Sequence, residues 1–118
     1  MATIVAELNA VDEAQEIIGL QLKQIAQILG ADESTLHRWR SGTVPGGPSK
    51  VYLVKLETLH ELITELRDAF RTPEAIRRWV WESRPPIFNG ERPIDLLLAG
   101  KMERVTAVLW GVNNGMPS

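Results

Sequence analysis

Residues 22 to 42, LKQIAQILGADESTLHRWRSG, constrain the fold more than any other stretch of this chain. Ile25, Ala26 and Leu29 give a first short helix its apolar face. Ala26 is small enough for a second helix to cross close to it. Gly30 suits the end of the first helix, because the residue there takes positive φ and glycine does so without a Cβ clash. Asp32 is placed to accept the free N–H groups that open the second helix. Leu36 and Trp39, three apart, turn one side of that helix inward. Glu33, Ser34, His37, Arg38 and Arg40 then fall on the outer side. This is the pattern of a helix-turn-helix, whose second helix lies in the DNA major groove. The expectation is that Ser34, His37 and Arg38 approach base edges and that Arg40 and Lys50 approach phosphates, with Glu33 on the same face. A helical hairpin that has lost its DNA partner carries the same pattern, and the residues leave that alternative open.

Charge qualifies the DNA reading. The formal net charge is −2, acidic for a dedicated DNA-binding protein. Residues 1 to 30 hold one lysine and four acids; residues 31 to 50 set Arg38, Arg40 and Lys50 against Asp32 and Glu33; the remainder balances nine against nine. The basic patch of one copy is therefore small. Phosphate contacts supply most non-specific affinity, so useful binding calls for two or more copies on one DNA. A homo-oligomer or a larger complex is expected.

The rest of the chain reads as helix, giving an all-α expectation. Ile4, Leu8, Val11, Ala14 and Ile18 recur at steps of three and four. Residues 43 to 49, TVPGGPS, hold two prolines and two glycines and form a connector, after which Ser49 can cap a helix. Tyr52, Leu56, Leu59, Ile63, Leu66 and Phe70 make one stripe over about five turns, able to serve core and dimer contacts together. Thr72-Pro73 is a helix start, and Pro85-Pro86 bounds the far end. Asn89-Gly90 is a turn, Pro93 opens a short helix closed by Gly100, and Met102, Val105, Leu109 and Val112 line a last helix ended by Gly115. The connector divides the chain into a DNA-reading region, residues 1 to 48, and a helical region for dimerisation and partner binding, residues 49 to 118. Neither is long enough to bury a generous core alone, so the two are expected to pack together with Trp39 near the junction.

Other chemistries find no support in the residues. His37 and His60 lie on different helices without a metal-ligand spacing. Ser34, Ser41 and Ser49 sit in no Gly-x-Ser-x-Gly elbow. GTVPGG lacks the Gly-Lys-Ser/Thr of a phosphate loop. No enzyme, no cofactor and no metal site is expected. The chain has no cysteine, hence no disulfide framework. No apolar run approaches the roughly 20 residues that span a bilayer. MATIVAELNAVDEAQ has no basic stretch ahead of its apolar residues, so it does not read as a signal peptide. The cytoplasm is the simplest location.

The tail carries its own signature, RRWVWESRPPIFNGERPIDLLLAGKMERVTAVLWGVNNG. A Trp on a helix is followed by a proline break, then a Gly three residues before Pro93, then Asp95-Leu96-Leu97, Gly100, a Val/Leu helix and a terminal Gly. This resembles the toxin-binding domain of the Xre–MbcA–ParS antitoxin family, and the upstream helix-turn-helix is similar to the Xre-like half of the same proteins. Either Trp79 or Trp81 fills the family's Trp position. The resemblance implies a type II antitoxin that binds a RES-domain toxin, an NAD-consuming enzyme, blocks its active site, and binds the operator DNA of its own operon. The surface implied for the partner comprises Trp79, Trp81, Trp110, Asn113, Asn114, Gly115, Met116, Pro117 and Ser118. Helical geometry adds that Trp110 points away from its helix's apolar arc, nearly opposite to it, and an exposed Trp suits an interface hot spot. The alternative is that neighbouring loops cover Trp79 and Trp81 and that each tryptophan is a core residue. Two further readings remain: a stand-alone helix-turn-helix regulator whose second half only dimerises, and an interaction module without DNA binding.

Overall fold

The computed structural model describes residues 9–42 and 47–115, and every regular element among them is helical. Helix α1, residues 9–18, ends in a π turn at Ala14–Ile18. It is followed by α2 (Leu22–Leu29), α3 (Glu33–Ser41), α4 (Lys50–Ala69), α5 (Pro73–Glu82), a 3-10 turn at Pro86–Phe88, α6 (Pro93–Leu98) and α7 (Met102–Asn113). Ile4 and Leu8 of the expected first stripe lie outside the described residues; Val11, Ala14 and Ile18 are buried.

Helix α4 is the spine. Its 20 residues bury Leu56, Leu59, Leu62, Ile63 and Leu66, and α7 packs along it more extensively than any other pair of elements meets. The expected stripe is consumed by this packing: Leu56, Leu59 and Leu66 have no exposed surface. Tyr52 and Phe70, at the two ends of the stripe, stay half-buried. Ser49 occupies the N-cap position of α4, but its side chain makes no capping bond; its carbonyl accepts the Leu53 N–H at 2.9 Å. The next helix starts as expected, with Thr72 Oγ1 accepting the Ala75 N–H at 3.1 Å and Pro73 in the first turn. Asn89 and Gly90 take φ of 54° and 86°, the paired positive values that a tight turn demands and that Asn-Gly tolerates best.

The two ends of the chain interleave. Helix α1 packs on α5, and α2 packs on both α4 and α6. Three side chains tie these joints. Trp81 Nε1 donates to the Ile18 carbonyl at 2.7 Å, Arg77 donates to the Glu16 carbonyl at 2.6 Å, and Gln27 Nε2 donates to the Leu98 carbonyl at 3.0 Å. Each acceptor is a carbonyl in the last turn of a helix, which has no partner inside its own helix. Gly19, at φ 82°, turns the chain beneath Arg77 and Trp81. Trp39 lies at the junction, its ring 5.1 Å from that of Tyr52.

Candidate functional site

Helix α3 carries the local start and inward face that its sequence specifies. Gly30 closes α2 at φ 73°. Its carbonyl accepts the Tyr52 hydroxyl at 3.3 Å, so the start of α4 holds the turn. Asp32 Oδ1 accepts three hydrogen bonds: from the Thr35 N–H at 2.8 Å, the Thr35 hydroxyl at 2.6 Å and the Ser34 hydroxyl at 2.9 Å. Leu36 and Trp39 are buried beneath. The Thr35 hydroxyl first, then the Thr35 amide and the Ser34 hydroxyl, lower the Asp32 carboxyl from its ordinary 3.8 to about 2. A lowered folded-state value means the cap stabilises fully well above pH 3.8 and is lost as pH falls toward about 2. Asp32→Ala should therefore lower the melting temperature at pH 7, and the gap to the parent protein should close as thermal melts are taken from pH 5 down to pH 2. A gap that persists unchanged at low pH would contradict the cap.

Helix α3 brings Glu33, Ser34, His37, Arg38 and Arg40 to one exposed element, and Lys50 is exposed on a different one, at the start of α4. Three of these side chains already have local work. Ser34 donates to Asp32. Arg38 donates to the Thr35 hydroxyl at 3.0 Å. Arg40 pairs with Asp12 of α1. Thr35 and Asp12 were not singled out by pattern. Asp12 lies 28 residues from its partner, and helical periodicity carries no information at that range.

The tail motif becomes a connected set of bonds. Trp81, at the end of α5, offers its carbonyl to Arg92 Nη1 at 3.3 Å. Arg92 grips Asp95 with its Nε at 3.1 Å and its Nη2 at 2.9 Å, and its own amide donates to Asp95 at 3.1 Å. The Arg92 side chain and amide hold the Asp95 carboxyl below its ordinary value. A bidentate grip of this kind fixes orientation as well as charge, and it sets the start of α6. Trp79 is half-buried, its ring 5.7 Å from Phe70 and 6.3 Å from Phe88. Trp79 and Trp81, two apart on α5, are thus both half-buried, each against different neighbouring residues.

On α7 the buried residues are Met102, Val105, Thr106 and Leu109. Thr106, not Val112, completes the inward face, with its hydroxyl donating to the Met102 carbonyl at 2.9 Å. Val112 stands 52% exposed, contrary to expectation. The arc of buried residues is centred between Leu109 and Met102, which puts Val112 about 70° off it at 100° per residue. Trp110 is 50% exposed. It lies about 90° from the same centre, on the flank toward α4 and not opposite the arc. Asn113 Nδ2 donates to the Glu65 carbonyl at 2.9 Å and to its carboxylate at 2.6 Å, pinning the end of α7 to α4. Asn114 Nδ2 donates to the Trp110 carbonyl at 2.8 Å. Gly115 is exposed with φ 73°, and Met116, Pro117 and Ser118 lie outside the described residues. Among the described residues no group of three or more His, Cys, Asp or Glu could hold a metal ion, and no helix is long and apolar enough to cross a membrane.

The arrangement defines an all-helical protein in which a helix-turn-helix and a Trp- and Arg-tied helical half share one core. A chain of the M. tuberculosis MbcT–MbcA toxin–antitoxin complex has this fold, with a TM-score of 0.65 and 22% sequence identity over 94% of this chain and 96% of that chain. No protein-family model matches the sequence, and no curated protein matches it.

Proposed function

We propose that this chain is the antitoxin of a type II toxin–antitoxin system, neutralising a RES-domain, NAD-consuming toxin by covering its active site and repressing its own operon through the helix-turn-helix. The observation that carries the reading is the likeness to a chain of a toxin–antitoxin complex, which extends over 94% of this chain and so takes in both halves. The tail signature, with Trp79 or Trp81 followed by Pro93, Asp95 and Gly100, supports a RES-type partner, as the family resemblance implies. On this reading residues 1–48 read DNA, residues 49–118 serve dimerisation and the toxin, and the protein acts in the cytoplasm without catalysis of its own. Trp79, Trp81, Trp110 and residues 113–118 form the toxin-facing set. Trp110 is the anchor among them, because Trp79 and Trp81 spend much of their surface on Phe70, Phe88 and Ile18. The test is co-expression with the product of the adjacent reading frame, followed by a pull-down on this chain. Failure of the two to co-purify would remove the antitoxin reading.

The DNA arm makes a separate claim. Ser34, His37 and Arg38 approach base edges, Arg40 and Lys50 approach phosphates, and Glu33 limits how closely the face settles. An arginine paired with guanine discriminates by about 1–3 kcal/mol. In a gel shift with the upstream region, Arg38→Ala should relax specificity, whereas Lys50→Ala should weaken all sequences evenly and flatten the salt dependence. Light scattering should give at least a dimer on DNA, with half-sites about one helical turn apart. A strict monomer, alone and with DNA, would contradict the dimer. Loss of salt-sensitive binding altogether would favour a second reading, an interaction module without DNA binding. The pairing of Arg40 with Asp12 is the observation that points that way.

A further inference from the structure

Helix α4 carries a second row of residues beside its core stripe. Val51, Val54, Thr58, Glu61 and Glu65 follow at steps of three and four, and Val51 and Val54 are 66% and 53% exposed. The row leads into a groove of about 530 Å3 between α4 and α7, bordered by Glu61, Glu65, Glu103 and Trp110. Ala107 and three threonines line it as well. Each threonine hydroxyl is turned onto the carbonyl four residues back: Thr58 to Val54 at 3.2 Å, Thr64 to His60 at 3.0 Å and Thr106 to Met102 at 2.9 Å. Their hydrogen-bond donors are used inside their own helices, so toward the groove they act largely as small apolar groups. No Lys, Arg or His lines it. Glu65 is engaged by Asn113; Glu61 and Glu103 are exposed on the two sides.

We propose that this groove docks a basic segment of the partner protein, laying an arginine or lysine against the Trp110 ring between Glu61 and Glu103. The proposal rests on the antitoxin reading and names the chemistry of the toxin segment that meets this face. Charge selects the occupant. DNA is repelled by three carboxylates. A second copy seated face to face would set three carboxylates against three with no cation between them. A purely aliphatic segment would desolvate Glu61 and Glu103 without compensation. A cation over an indole face is attracted by the ring quadrupole, and more strongly once water is excluded. The volume is that of a side-chain-scale cleft, and exposed Val51 and Val54 extend it with apolar surface for the rest of the segment.

The experiment titrates this chain with the co-expressed product of the adjacent reading frame by calorimetry at about 50 and about 300 mM salt, where screening differs strongly. Glu61→Gln with Glu103→Gln should weaken the complex roughly tenfold at low salt and remove most of its salt dependence. Trp110→Ala should weaken it roughly thirtyfold at both salts. Glu65 is left intact because it holds Asn113. An unchanged affinity and salt response in the glutamine double variant, with the complex still formed, overturns the groove and leaves the antitoxin reading standing. If the parent protein forms no complex, that reading fails, and the groove is then tested with an amphipathic peptide of Leu and Arg. Amide shifts confined to α4 and α7 that vanish in the glutamine double variant would sustain a basic occupant; their absence would overturn it. Conversion of a dimer to a monomer by Trp110→Ala would assign the groove to a second copy and overturn the proposal equally.

Discussion

Leu59→Ala should cost about 2–5 kcal/mol of stability, the range for truncating a fully buried leucine whose surroundings relax only in part. Leu59 has no exposed surface and sits midway along α4. Helix α4 packs on α2, α5 and α7, so a cavity there loosens the joint between both halves of the chain. Domains of this size hold only about 5–15 kcal/mol in total. Chemical denaturation should therefore show a much lower midpoint with an unchanged slope, while Glu57→Ala, on the exposed side of the same helix, should stay within about 0.5 kcal/mol of the parent. Equal, small effects at both positions would mean that α4 is not the spine of the core.

Removing residues 115–118 should restore NAD consumption to a toxin that still co-purifies with the shortened chain. The cut is placed after Asn114 because Asn113 ties α7 to α4 through Glu65, and a deeper truncation would disturb the helix that presents Trp110. If the tail blocks the active site while the body of the domain supplies affinity, occupancy and inhibition separate. Trp110→Ala should do the reverse, lowering affinity by about 2 kcal/mol or more as a hot spot does, roughly thirtyfold in Kd. The blocked state itself should be intact wherever that complex forms. Full inhibition by the truncated chain would exclude a blocking tail.

The elements that could be read from sequence are those whose signals are local. Gly30, Asp32, Leu36 and Trp39 specify a cap, a start and two buried positions within ten residues, and the structure places each accordingly. Thr72-Pro73 and Asn89-Gly90 are equally self-contained. The π turn of α1 escaped because apolar spacing reports which residues face inward, not which carbonyl each N–H finds. The ties from Gln27 to Leu98 and from Arg77 to Glu16 span 71 and 61 residues, where no periodicity connects the partners. Val112 was assigned inward because valine fits an apolar arc; Thr106 takes that place by satisfying its hydroxyl within the helix. The groove beside α4 was passed over for a related reason. Its row of Val51, Val54, Thr58, Glu61 and Glu65 is periodic too, but a mixed row beside a pure apolar stripe reads as solvent face until a second helix is known to border it. The partner-facing role of Trp79 and Trp81 rests on the family resemblance, and their covered positions show only how the fold uses them.

The most direct measurement is NAD turnover by the purified product of the adjacent reading frame, followed as this chain is added in increasing amounts. An antitoxin that covers the active site predicts that turnover falls to background at a fixed stoichiometry and that the two proteins elute together. Undiminished NAD turnover in the presence of a saturating excess of this chain would contradict the account.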